Sequence, residues 1–291
     1  MTNARRHPPA RFRQKSEGDA VQPETPQINP YGAPQAPVGD YVAGDHAVLE
    51  RARSVPADHG VAWYREAWRL FKLSPGVWIG IWVVFIVILM AISIIPLLGS
   101  LVVAVLTPIF VGGTMIAARN ADRNNGARFG DLFAAFSGRA GALMLIGLLQ
   151  LALSLVFVVV FALVVGFGGA MSMFMGDMSP ETMDTQAIVP MIVLGALAAV
   201  IFIPITNAVW LASALTALEG AGALDALRRA FSATFRNLLP LLVFVLVTLA
   251  LAVAATIPLA LGWLVLGPVI LCAIYAQYQD LFDAAGEQAQ G

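Results

Sequence analysis

The 17 Lys and Arg residues of this chain are confined to three stretches, 5 to 72, 119 to 139 and 228 to 236, with none from Ala140 to Leu227 or after Arg236. Between those stretches lie apolar runs long enough to cross a bilayer, which takes about 20 residues. An excess of Lys and Arg marks cytoplasmic loops, and placing all three basic stretches on one side puts both chain ends in the cytoplasm. The 12% charged content and mean hydropathy of +0.79 fit the same class, because soluble domains carry charge on roughly a quarter of their residues. The expected fold is all-α: a polytopic membrane bundle of six transmembrane helices in three hairpins, each hairpin preceded by a short amphipathic surface helix.

The spans are expected at about 77–95, 100–118, 141–167, 188–218, 238–256 and 259–277. The first two have 19 residues each, about 28 Å of helix and just enough for the hydrocarbon core. Trp78 and Trp82 fall near the inner end of the first, where aromatic rings favour the interface. Apolar turns at Pro96-Leu97-Leu98-Gly99 and Ile257-Pro258 join the first and third pairs. Re-entrant hairpins would need shorter apolar runs than these pairs have. Residues 1–60 are rich in Pro, Gly, Gln and Asp without helical or alternating periodicity, which reads as a disordered cytoplasmic tail; residues 283–291 form a short second tail. No apolar stretch follows the N-terminal arginines until about residue 77, so no signal peptide is expected. The single cysteine, Cys272, excludes an intrachain disulfide.

Three amphipathic segments precede the hairpins. In the first, Tyr64, Trp68 and Phe71 recur at helical spacing beside a basic stripe of Arg65, Arg69 and Lys72, as in a helix lying on the inner membrane surface. Arg228 and Arg229 give the third segment the same character, and these residues are the expected membrane-surface contacts. Each segment places an acid early (Glu66, Asp131, Asp225) and aromatics five or six residues later, and each even-numbered span then carries a proline: Pro108, Pro204 and Pro268. A proline within a span removes a backbone hydrogen bond and kinks the helix. The pattern reads as a threefold internal repeat.

Several short motifs add a resemblance. Asn29 to Pro34 (an NPYxAP-type segment), Ala67 to Phe71 with Ser74-Pro75, Ile95 to Gly99 with Leu106-Thr107-Pro108, Phe129 to Phe133, and Tyr275 to Phe282 together resemble a family of uncharacterised integral inner-membrane proteins of Gram-negative bacteria. The resemblance covers roughly residues 29–136 and 225–282. It implies a six-helix inner-membrane protein with a cytoplasmic tail and carries no catalytic residue with it.

The chemistry of the spans is sparse. His7, His46 and His59 all fall before the first span, removing the usual zinc ligands from it. No Gly-x-Ser-x-Gly, His-Glu-x-x-His or phosphate-loop pattern is present, so the chain is expected to be non-enzymatic and to use no cofactor. The polar residues at depth are Thr107, Thr114, Gln150, Ser154, Thr206, Asn207, Ser213 and Thr248. Asn207, three residues after Pro204, is the strongest functional candidate, because a kink frees carbonyls beside an amide that both donates and accepts. Interhelical hydrogen bonding is the structural alternative. A pore-facing cluster of Asn207, Thr107 and Gln150 near Pro204, Pro108 and Pro268 would define a permease for a neutral or amphipathic compound; a dry core of Ala, Leu and Val would define a scaffold or accessory protein. Between the third and fourth spans, Met171, Met173, Met175, Met178 and Met183 suit Cu(I) or Ag(I), which prefer soft ligands, or an apolar lid at the outer interface. Expected partners are membrane lipid, a protein bound through the proline-punctuated segment 29–37, and a second copy packed through small residues; no nucleic acid is expected.

Overall fold

A computed structural model describes residues 52–96, 98–165 and 185–283, and every regular element among them is helical. In chain order these are α1 (His59–Leu73), α2 (Pro75–Ser93), α3 (Leu98–Asn124), a 3-10 segment (Phe129–Phe136), α4 (Ala140–Val165), α5 (Thr185–Glu219), α6 (Ala223–Arg236), α7 (Leu238–Thr256), α8 (Trp263–Tyr278) and a π turn (Gln279–Asp283). Six of the helices, α2, α3, α4, α5, α7 and α8, are long and apolar enough to cross a membrane.

These six divide into an inner and an outer set. In the most apolar stretch of α3, α5 and α8, 56%, 50% and 72% of residues are buried; in α2, α4 and α7 the shares are 17%, 17% and 22%. The inner three pack on one another, and each outer helix packs on inner ones. The composition of the core explains how close the inner helices come. Ala117, Ala118, Ala208, Ala212, Ala214, Ala273 and Ala276 are buried in it, with Ile109, Met115, Leu211, Leu215 and Ile274 between them. Small residues bring backbones together, and dispersion contacts stabilise helix pairs where lipid offers no hydrophobic driving force. Pro108, Pro204 and Pro268 are all buried on these inner helices.

The amphipathic elements fold against the inner helices. α6 doubles back along α5: Arg229 pairs with Glu219 ten residues away, and Thr234 meets Asn207 27 residues away, which sets an antiparallel register. Its buried side is a row of small residues, Ala223, Ala226, Ala230 and Ala233, the three- and four-residue spacing of a single helix face. The 3-10 segment lies across α3, so close that a Cβ on Gly113 would fall on the Leu132 carbonyl. α1 packs on α8 and α7, burying Gly60, Trp63, Tyr64, Ala67, Leu70 and Phe71.

Two expectations shift. The packed chain begins before residue 61: Ala52 and Val55 are buried, the Arg53 N–H donates to the Leu281 carbonyl, and α1 starts at His59. Polar, proline-punctuated composition concealed this strap because long-range partners hold it in place. The buried face of α1 is also wider than the Tyr64, Trp68, Phe71 stripe. Phe71 is only 5% exposed and packs into the protein, whereas Trp68 is 46% exposed and stacks on it with ring centroids 5.4 Å apart. Segment 1–51, with its 29–37 motif, and the methionines from 171 to 183 lie outside the described residues.

Candidate functional site

Each inner helix ends in the same chemistry. Asp122 lies two residues from the end of α3, Glu219 closes α5, and Asp280 follows α8 in the π turn. A carboxylate at a helix C-terminus faces the negative end of the macrodipole, so each needs a donor from elsewhere. Each finds one or more.

Asp280 Oδ2 accepts from the Trp63 indole N–H at 2.8 Å and lies 2.7 Å from His59 Nδ1, with Arg53 4.0 Å from Oδ1. Asp122 accepts from the Gln279 amide at 3.0 Å and pairs with Arg69. The same Gln279 amide donates to the Tyr275 hydroxyl at 3.0 Å. Arg69 also donates to Glu66 at 2.9 Å, and these two carboxylates, Glu66 foremost, hold its guanidinium more firmly protonated than usual. Glu219 takes the Arg229 guanidinium at 2.7 Å and the Tyr278 hydroxyl at 3.0 Å, while Arg229 lies over the Phe282 ring, 5.6 Å from its centroid. Arg119 donates to the Leu218 carbonyl at 3.2 Å.

Asn237, at the junction of α6 and α7, completes this end. Its side-chain oxygen accepts the Val55 N–H at 2.9 Å, and its amide donates to the Arg53 carbonyl at 3.0 Å and the Ala233 carbonyl at 2.8 Å. Tyr64 bridges to α7 through a 2.6 Å bond with Thr248, and burial raises its phenol above the ordinary value of 10.0. The chemistry of this face is that of a clasp. Its acids are consumed in fastening α1, α6 and the 52–58 strap to the ends of α3, α5 and α8.

The solvent side of the clasp is different in kind. Arg65, Lys72 and Arg228 are exposed, and so are the rings of Trp68, Phe129, Phe133, Phe136 and Phe235. Arg69 and Arg229, expected as membrane contacts, have carboxylate partners within the protein, and Arg69 is exposed as well.

The residues proposed for a polar path each have surroundings of their own. Thr107 donates to the Val103 carbonyl of its own helix at 2.7 Å, Asn207 reaches Thr234 on α6 at 3.3 Å, and Gln150 is half-buried on α4. No hydrogen bond among the described residues joins the three. Thr114 and Ser213 likewise bond carbonyls of their own helices. Among the described residues no group of three or more His, Cys, Asp and Glu comes together.

Sequence reasoning missed Asp122, Glu219, Asp280 and Asn237, although a signal existed for the acids. Each lies within a few residues of the end of an apolar run, where the helix dipole opposes it. The fold and this clasp define an all-α, multi-pass membrane bundle. Comparison with family models, with curated proteins and with solved structures finds no match.

Proposed function

We propose that the chain is a non-enzymatic inner-membrane protein, a scaffold or accessory protein that organises partners or lipid at its cytoplasmic face. One observation carries this reading: the packing between the inner helices is mostly apolar. The Thr107, Thr114 and Ser213 hydroxyls bond carbonyls of their own helices, Asn207 reaches α6, and the surfaces between inner helices are mostly Ala, Leu, Ile, Val and Met. Paired charges are gathered at the clasp end instead.

The orientation belongs to the proposal. Basic residues favour the cytoplasmic side, which puts the clasp, both chain ends and the exposed Arg65, Lys72 and Arg228 there. Basic side chains at that surface attract anionic headgroups at about 1 kcal/mol each, and the exposed Trp68 and Phe rings suit the interface. The threefold repeat also belongs here. α1 packs on α8, the 3-10 segment on α3 and α6 on α5, so each amphipathic element meets the inner helix of the preceding hairpin, and the first closes the circle on the last. The resemblance to inner-membrane proteins of Gram-negative bacteria points to the same compartment.

The permease reading draws on one feature. Thr216 Oγ1 and Gln277 Oε1 are buried without a hydrogen-bond partner among the described residues, as groups lining a narrow wet path would be. Two measurements separate the readings. Native mass spectrometry of the protein extracted with its lipid is expected to show a retained protein partner or bound anionic lipid. Proteoliposomes loaded with small neutral solutes are expected to leak no faster than protein-free vesicles; protein-dependent flux abolished by Gln277→Leu would reverse the assignment. The Cu(I) or Ag(I) reading rests on residues outside those described and predicts tight binding lost when the five loop methionines are replaced.

A further inference from the structure

The three hairpins differ in reach. Asp122 and Gln279 are hydrogen-bonded at 3.0 Å and so mark one level on α3 and at the end of α8. From that level α3 continues 24 residues to Leu98, about 36 Å of helix, whereas α8 continues only 16 residues to Trp263, about 24 Å. The start of α8 therefore lies roughly 12 Å short of the start of α3. Packing agrees: Gly267, near the start of α8, lies against the Trp82 ring, level with the middle of α2.

The composition of the turn matches that depth. Ile257, Leu259 and Leu261 are 79%, 91% and 62% exposed, an arrangement costly in water that Ile94, Ile95 and Leu98 share at the α2–α3 turn. Non-helical backbone within hydrocarbon needs internal partners. Here Leu259, Ala260, Leu261 and Trp263 N–H groups donate to Ile257, Thr256, Pro258 and Ala260 carbonyls at 2.9 to 3.1 Å. The Trp263 indole N–H is also used inside the protein, reaching Thr256 Oγ1 at 3.2 Å.

The shortfall leaves a groove of about 410 Å³ beside the turn, lined by Trp82, Val83, Ile86 and Val87 of α2 and by Ala260, Trp263 and Leu264. That volume is in the range of small-molecule sites. Its lining contains no charged side chain, and Val83, Val87, Trp263 and Leu264 leave it open to the side. One wall is held in an unfavourable conformation: Leu259 and Ala260 have φ of 52° and 62°, a left-handed geometry that side chains disfavour and that persists where surrounding structure enforces it.

We infer that the α7–α8 turn lies within the half of the hydrocarbon layer remote from the clasp, and that the groove seats one acyl chain of a phospholipid from that leaflet. An acyl chain is the occupant because the groove opens sideways, is lined almost wholly by apolar surface and holds no charged side chain for a headgroup. The inference is independent of whether the protein organises partners or passes a solute.

The test uses the full-length protein in nanodiscs of phosphatidylethanolamine and phosphatidylglycerol. With an impermeant maleimide, Ile95→Cys is expected to label at least ten times faster than Leu259→Cys; equal rates would place both turns at one depth and overturn the inference. In nanodiscs whose acyl chains carry terminal bromine, the Trp263 contribution, taken by difference from Trp263→Phe, is expected to be strongly quenched. Val87→Phe and, separately, Val83→Phe fill the groove from its lipid side and should relieve at least half of that quenching. Quenching unchanged in both would mean bulk lipid contact alone, and the seat would be rejected. Both tests read out regardless of transport or partner binding.

Discussion

The Asn237 side chain accepts one backbone N–H from the 52–58 strap and donates to two carbonyls, all three bonds at 3.0 Å or less. Asn237→Ala leaves those groups buried and unpaired, and each such group costs about 1–3 kcal/mol. We expect a loss of about 2–4 kcal/mol, read as a lowered unfolding temperature in detergent, with Arg53→Ala near neutral because its backbone carbonyl survives the change. Gly113 offers a steric test. Ala there meets the Leu132 carbonyl and Val meets it worse, so thermal stability should fall in that order. Tyr64 gives a pH signature. Its phenol is raised by burial, so the stabilisation is complete below the unfolded value of 10.0 and is lost as pH climbs through the higher folded value. The difference in unfolding temperature between the protein and Tyr64→Phe should therefore be flat below pH 10 and shrink above it. At this scale the sequence displayed residue types but not their partners. Asn207 stood out beside Pro204 in the sequence, yet its partner is Thr234, and the amide with three partners, Asn237, stood at an unremarkable helix junction.

Among elements, α1, the 3-10 segment and α6 differ in length and in helix type, yet each packs chiefly on one inner helix. If a threefold repeat underlies this, the prolines should be equivalent. Pro108→Ala, Pro204→Ala and Pro268→Ala are expected to change the unfolding temperature by similar amounts, and one variant departing in sign from the other two would count against the repeat. The amphipathic pattern revealed that α1 is a helix with one apolar face, because 3.6-residue periodicity is a local property. The same pattern did not reveal what covers that face. A stripe facing lipid and a stripe facing α8 read alike in sequence, and only packing separates the buried Phe71 from the exposed Trp68.

For the whole molecule, orientation is the property most directly open to experiment: a reporter fused after Gly291 is expected to be active only in the cytoplasm, and activity outside would remove the proposed topology. The number of apolar helices and the side on which basic residues gather were determined by the sequence alone. Both follow from one-dimensional quantities, the length of an apolar run against the bilayer and the cost of placing charge within it. The tertiary structure alone decided which helices are inner, how the acids at their ends are paired, and that the third hairpin turns short of the first. Asp122 and Gln279 are 157 residues apart in the chain and 3.0 Å apart in space. That contact sets the level from which each hairpin is measured, and no local pattern in either segment encodes the distance between them.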